Sequence, residues 1–168
     1  MKVQDLIKEQ KNLVEELGVY FHNLEDMSPL SARIFSLLIL IGEEGTCFDE
    51  LVENLGASKS SISVNLNLLQ TKGVIRYFTK TGDRKRYFII SEDYIINRLE
   101  SKIKEWKVEK TLHERILSFK LKKTNSKIDR IKFNENYIQL INNVISNFEN
   151  LKKSYISNTL KENNEKNY

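Results

Sequence analysis

The sequence predicts a mainly α-helical domain that carries one small β-hairpin. Three observations predict it. Apolar residues recur at three-to-four spacing through most of the chain. Glycines at 42, 56 and 73 close successive helical patterns. Two short runs rich in β-branched and aromatic residues, VIRYFT and RKRYFII, are joined by KTGD, whose glycine can adopt φ > 0.

Residues 2–24 read as one amphipathic helix, with Val3, Leu6, Ile7, Leu13, Val14, Leu17, Tyr20, Phe21 and Leu24 on one side. Gly18 interrupts it at modest cost. In SPLSARIFSLLILIG, Ser28 is a good N-cap and Pro29 suits the first turn. After Ile34 that helix is apolar nearly all round, which predicts a buried central helix. TCFDELVENLG reads as a short third helix, with Cys47 and Glu50 at capping-box spacing and Gly56 at its end. In ASKSSISVNLNLLQTKG, Ser58 is the N-cap, and Ile62, Leu66 and Leu69 form a narrow apolar stripe. Its other side is small or polar: Lys59, Ser60, Ser61, Ser63, Val64, Asn65 and Asn67. After the hairpin, SEDYIINRLESKIKEW opens a long helix that reaches about Leu121. KKTNSK is a polar break, and a last helix runs from Ile131 to about Leu160.

The chain has 168 residues, 40% of them apolar and 30% charged, as in ordinary soluble domains. The longest apolar run, Leu37 to Ile41, is far below the roughly 18–20 residues that span a bilayer. The start, MKVQDLIKEQ, lacks the apolar centre of a signal peptide, so the expected location is the cytoplasm, with no membrane partner. One cysteine excludes an intrachain disulfide framework, and the two histidines have no metal-ligand spacing, so neither metal nor cofactor is expected. No nucleophile–base pair, phosphate-cradling glycine loop or acidic dyad stands out, so no enzyme is read here.

The charge is unevenly placed. Between Lys72 and Tyr87 stand six cations (Lys72, Arg76, Lys80, Arg84, Lys85, Arg86) and one anion, Asp83, in a chain whose net charge is only +4. A focused basic patch is the footprint of a polyanionic partner. It directly follows a helix whose outer face is small and polar. Helix, helix, short helix, polar helix and basic hairpin, in that order, make a winged helix-turn-helix with long N- and C-terminal helices. The 58–72 helix would enter the major groove of double-stranded DNA. Ser58, Lys59 and Ser60 would meet a phosphate at its N-terminus, with Ser61, Val64 and Asn65 near base edges and Asn65 bonding adenine. Lys80, Asp83, Arg84, Lys85 and Arg86 would place the 79–86 wing on the minor groove and backbone. Taken singly, a serine-rich helix start is usually only a cap, and a basic hairpin is usually a solvated edge.

These motifs resemble a known family. SPLSARIFSLLIL, FDELVENLGASKSSISVNLNLLQTKGVIRYF and GDRKRYF are similar to the GbsR-like branch of the MarR-type transcriptional regulators, over about residues 10–125. Two positions depart from that pattern: Ser60 replaces a frequent glycine and Asn67 a frequent arginine. The resemblance implies a cytoplasmic homodimer in which Asp83 orients Arg84 toward the minor groove. Some members of the branch respond to osmolytes such as choline or glycine betaine, which leaves room for a small-molecule effector.

A dimer follows separately from the pattern. The first and last helices carry apolar stripes that one small domain cannot cover, and a second copy would cover them. The alternative is an intramolecular helical cap. The expected organisation is a dimerisation helix over 1–27, the DNA-binding domain over 28–91, a helical linker and dimerisation region over 92–160, and a disordered tail over 161–168. The function read here is DNA-binding transcriptional regulation by a homodimeric repressor on a palindromic operator. The alternative is a winged-helix protein-interaction module without DNA binding. Three further groups of residues have two readings each. Cys47 could sense redox state or simply pack and cap. His22 and His113 could line an effector pocket or sit at ordinary boundaries. Tyr20, Phe21, Tyr94 and Trp106 could form an aromatic cage or belong to the core.

Overall fold

The computed structural model describes residues 3–123 and 128–165, with side chains described over 4–123 and 128–158. In order, the elements are α1 (Val3–Leu24), α2 (Pro29–Ile41), β1 (Thr46–Cys47), α3 (Phe48–Leu55), α4 (Lys59–Thr71), β2 (Ile75–Thr79), β3 (Arg86–Ile90), α5 (Glu92–Lys122) and α6 (Ile128–Glu165). They divide into two compact units, Met1–Tyr94 and Ile95–Tyr168.

The first unit is built around α2. Ser28 caps it, accepting from Ser31 N–H, and Pro29 occupies its first turn. Ala32, Ile34, Phe35, Leu37 and Leu38 are buried, with Ile34 fully enclosed. They meet Val14 and Phe21 of α1, Leu51 of α3, Ile62, Leu66 and Leu69 of α4, and Ile75 and Phe88 of the sheet. The apolar run does not stay buried to its end, because Ile39 and Leu40 face outward. Ser36, the polar residue inside this stripe, satisfies its hydroxyl on the Ala32 carbonyl at 2.7 Å. Gly18 marks the close approach of α1 to α2, since a β-carbon there would lie 2.9 Å from Arg33 Cγ. Arg33 itself pairs with Glu15 of α1.

The sheet has three antiparallel strands in the order β1-β3-β2, one more than the hairpin expected. The extra strand is only Thr46–Cys47, paired with Phe88 and Tyr87, and so short a strand has no alternation to read. Cys47 also opens α3, where the Glu50 carboxylate accepts from Cys47 N–H at 2.8 Å and Thr46 Oγ1 at 3.0 Å. The Cys47 N–H bond, above all, holds the Glu50 carboxyl below its ordinary range. Cys47 is 2% exposed, so it packs and caps rather than presenting a reactive thiol.

Tyr94 belongs to this unit and stacks edge-on against Phe35, which meets Phe21 in the same manner. Phe21 is thus a buried core ring with Tyr94 packed against the same core, Tyr20 is 55% exposed, and Trp106 packs on the second unit's cluster.

The second unit holds the antiparallel helices α5 and α6. Ile103, Ile141 and Ile145 are its buried centre, flanked by Trp106, Tyr137 and Phe148. Buried Asn134 donates to the His113 carbonyl at 2.8 Å and faces His113 Nδ1 at 3.2 Å, a boundary role for that histidine. His22, in the first unit, likewise bonds the Met27 carbonyl at 2.6 Å. Helix α6 starts before Ile131 and reaches Glu165, into the segment expected as a tail. Residues 166–168 of that tail and 124–127 of the polar break lie outside the described residues.

Gly45 combines a left-handed backbone with close packing on three sides. Its φ is 66°, and a β-carbon would meet Ile89 Cγ2 at 3.0 Å, Phe78 Cε1 at 3.1 Å and the Phe88 carbonyl oxygen at 3.2 Å. Replacing it with alanine adds both left-handed strain and overpacking. Gly45→Ala is expected to cost about 1–3 kcal/mol, read as a lowered urea midpoint at unchanged m-value. An unaltered midpoint would contradict the packing described.

Candidate nucleic-acid interface

The candidate interface is formed by α4 and the β2–β3 hairpin. The α3–α4 turn depends on Gly56, whose φ of 58° and ψ of 26° place it in the left-handed region that terminates α3. Ser58 then caps α4, accepting from Ser61 N–H at 3.2 Å. The buried stripe Ile62, Leu66 and Leu69 docks the helix on the core. The opposite face is open. Ser58, Lys59, Ser60, Ser61, Ser63, Val64, Asn67 and Leu68 are exposed, Val64 by 66%. A bare valine of this kind fits an apolar contact such as a thymine methyl.

Asn65 departs from its expected role. Its Oδ1 accepts from Ser28 Oγ at 2.6 Å and from Ser31 Oγ at 2.8 Å, and its Nδ2 donates to the Ser61 carbonyl at 2.9 Å. Bidentate recognition of adenine needs a free acceptor and a free donor on the same amide. Both acceptor sites of Asn65 are filled, so it is turned into the protein rather than toward a base. Asn67 and Ser63, two residues to either side of it on the same helix, are exposed. Their signal was present in the small-polar pattern, but the pattern alone did not separate them from Asn65.

The wing tip is a tight turn. Asp83 N–H donates to the Lys80 carbonyl at 3.0 Å, and Gly82 at φ 81° supplies the left-handed residue that a type II turn needs at its third position. Asp83 then closes the returning strand. Its Oδ1 accepts from Lys85 N–H at 2.9 Å and its Oδ2 accepts from the Tyr87 hydroxyl at 2.7 Å. Asp83 therefore does not hold the Arg84 guanidinium. It forms an Asx-turn over Arg84 and fixes that residue's backbone. Among the described residues, Arg84 has no hydrogen-bond or ion-pair partner, and it is exposed.

The other wing cations differ in availability. Lys80 Nζ lies 3.8 Å from the centroid of the Tyr87 ring. The Arg86 guanidinium lies 4.9 Å from the Tyr77 ring. Both remain at the surface but lean on aromatics of the hairpin, whereas Arg84 and Lys85 stand free of rings. Arg76, at the hairpin base, pairs with Glu92 at 2.9 Å through Nε.

Helix and wing share one groove of about 240 Å³. Ser63, Asn67 and Gln70 of α4 line it together with Lys85, Arg86 and Phe88 of the wing and with Cys47, Phe48 and Asp49 at the start of α3. Hydrogen-bonding side chains and cations thus converge on a single concave surface.

No protein-family model matches the chain, and no curated protein matches it. The chain is similar to solved structures of transcriptional regulators. One crystal structure of a transcriptional regulator is 21% identical, over 89% of this chain and 99% of that one, with a TM-score of 0.49. A mutant of MepR from a multidrug-resistant S. aureus clinical isolate is 12% identical, over 86% and 98%, with a TM-score of 0.41. The regulator BldR from Sulfolobus solfataricus is 21% identical, over 81% and 90%, with a TM-score of 0.39. By its own topology, the first unit is a winged helix-turn-helix domain.

The Asp83 latch carries a titration signature. The Lys85 N–H and then the Tyr87 hydroxyl hold the Asp83 carboxyl below its ordinary range, while Asp83, above all, pushes the Tyr87 phenol up to about 12. A depressed carboxyl stabilises the wing above its unfolded value and loses that contribution as pH falls through the lower folded value. The latch is therefore intact at neutral pH and released only in acid, below the ordinary aspartate value of 3.8. In Asp83→Ala, the Tyr87 phenol should titrate back toward 10 from about 12, read by NMR of ring-labelled tyrosine. An unmoved Tyr87 titration would remove the latch.

Proposed function

We propose that this protein is a homodimeric, winged helix-turn-helix DNA-binding regulator of transcription. It acts as a repressor in the cytoplasm and is of the GbsR-like branch of the MarR type. The observation that carries this reading is the shared groove. Ser63, Asn67 and Gln70 of α4 and Lys85 and Arg86 of the wing line it together, with Arg84 free at the tip. In this reading α4 enters the major groove. Ser58, Lys59 and Ser60 meet a phosphate at its N-terminus, and Val64 and Asn67 reach base edges. Arg84 reads the minor groove, while Lys80, Lys85 and Arg86 follow the backbone.

Exposed apolar residues on the helices of both units support the dimer. In the first unit, Leu6, Ile7, Tyr20 and Leu24 of α1 are about half exposed. In the second, Val108, Leu112 and Phe119 of α5 and Phe133 and Leu140 of α6 are exposed by half or more. Burying such residues stabilises by about 1.5–3 kcal/mol each, and twofold symmetry presents two α4 helices to a palindromic site. Sedimentation should give twice the mass of 19.8 kDa. A monomer at micromolar concentration would remove the dimer from the proposal.

The deciding experiment selects DNA fragments with the purified protein and measures affinity against salt. A DNA binder shows a steep log–log slope, to which each neutralised phosphate adds nearly one unit. Arg84→Ala is expected to weaken binding by about 1–3 kcal/mol, and Lys85→Ala to lower the salt slope by about one. Unchanged binding by the Arg84→Ala, Lys85→Ala double variant would overturn the wing assignment. Failure to enrich any fragment would favour a protein-interaction module instead.

A further inference from the structure

The apolar stripe that docks α4 presses Ile62, Leu66 and Leu69 into the core, all nearly or fully buried. Apolar burial is strong but non-directional. A stripe this narrow resists detachment of the helix far better than a small roll or slide along its axis. Base recognition has the opposite demand, because a hydrogen bond weakens steeply once its angle and distance drift. Something directional must set the pose of α4.

The polar network at its shoulder has that character. Ser28 Oγ and Ser31 Oγ, from the first turn of α2, converge on one acceptor, Asn65 Oδ1, at 2.6 and 2.8 Å. Two donors on one atom triangulate its position. Asn65 Nδ2 ties the same amide to the Ser61 carbonyl, one turn back along α4. The amide cannot be reversed, since reversal would set its oxygen against that carbonyl. Ser31 is the informative member. The cap of α2 needs only its backbone N–H and the Ser28 hydroxyl. The Ser31 hydroxyl is additional and is directed at Asn65, and the residue is 1% exposed.

We propose that Asn65 is a positioning residue of the recognition helix, acting through Ser28 and Ser31. Together the three set the roll and depth of α4, and thereby which base edges Val64 and Asn67 can reach. The assignment rests on the DNA-binding reading above.

Ser31→Ala tests it most directly. The hydroxyl is buried, so it cannot touch DNA, and its removal leaves the cap of α2 in place. Asn65→Ala is the second variant, on the helix shoulder, and serves should Ser31→Ala fold poorly. Each is measured on DNA selected with the unsubstituted protein, at a temperature where circular dichroism shows the variant folded. Each is expected to weaken binding about three- to tenfold, the size of one side-chain hydrogen bond. The double variant should lose no more than either single change. Sequence preference should blur at several base pairs together, with an unaltered salt slope because every phosphate-facing cation is kept. Ser28→Thr, which keeps a capping hydroxyl, should bind as the unsubstituted protein does.

Loss of preference at one base pair in Asn65→Ala, with normal binding by Ser31→Ala, would make Asn65 a base reader and overturn the assignment. Normal affinity and preference in both variants would reduce the network to a stabilising contact and overturn it equally. A failure of the functional reading itself looks different: the unsubstituted protein then enriches no DNA, and the assignment falls with that reading.

Discussion

The burial of α2 is the constraint on which the first unit depends. Ile34, Leu37 and Leu38 are almost wholly removed from water, and α1, α3, α4 and the sheet each bury their own apolar residues against this helix. At about 1.5–3 kcal/mol for each large apolar side chain, no surrounding element could leave without exposing both its own stripe and part of α2. The polar atoms within this core follow the same rule. Ser36 bonds back to Ala32, Thr46 bonds Glu50, and no buried side-chain nitrogen or oxygen among the described residues lacks a partner. A rigid core is what allows an exposed helix and a hairpin to hold a fixed mutual geometry.

The wing applies a second principle, that internal hydrogen bonds decide which charges remain available. Asp83 is the only anion in a strongly basic segment, and by charge alone it would neutralise a neighbour. Its two oxygens are instead taken by the Lys85 backbone and the Tyr87 hydroxyl. The carboxylate stabilises the turn and leaves the Arg84 guanidinium outside. Aromatic rings do related work for Lys80 and Arg86, lying beside their cations and limiting the directions in which they point. The positive charge is thus concentrated on the wing, with Lys80 and Arg86 beside rings and Arg84 and Lys85 left available.

The polar residues of α4 show where pattern reading stops. Asn65 and Asn67 are the same residue type two positions apart, and neither belongs to the apolar stripe itself. Only one is turned inward, because the first turn of α2 brings two serines to its side of the helix. Gly45 is a similar case. Its sequence context suggests only a turn, whereas its real constraint is the approach of Phe78, Ile89 and a β3 carbonyl from distant positions. The strand Thr46–Cys47 exists because Phe88 and Tyr87 offer an open edge, not through any preference of its own.

The sequence by itself determined the order and type of the helices, the hairpin, the capping residues Ser28 and Ser58, and the concentration of cations on the wing. Apolar periodicity, caps and turn glycines act over a few residues, so they can be read locally. Only the tertiary structure decided which polar groups remain available: Asn67 and Arg84 outward, Asn65 inward, and Asp83 engaged with Tyr87 rather than with Arg84. The physical reason is that a polar side chain is directed by the partners it finds. The partners of Asn65 lie 34 and 37 residues away, and only the packed core brings them within hydrogen-bond reach.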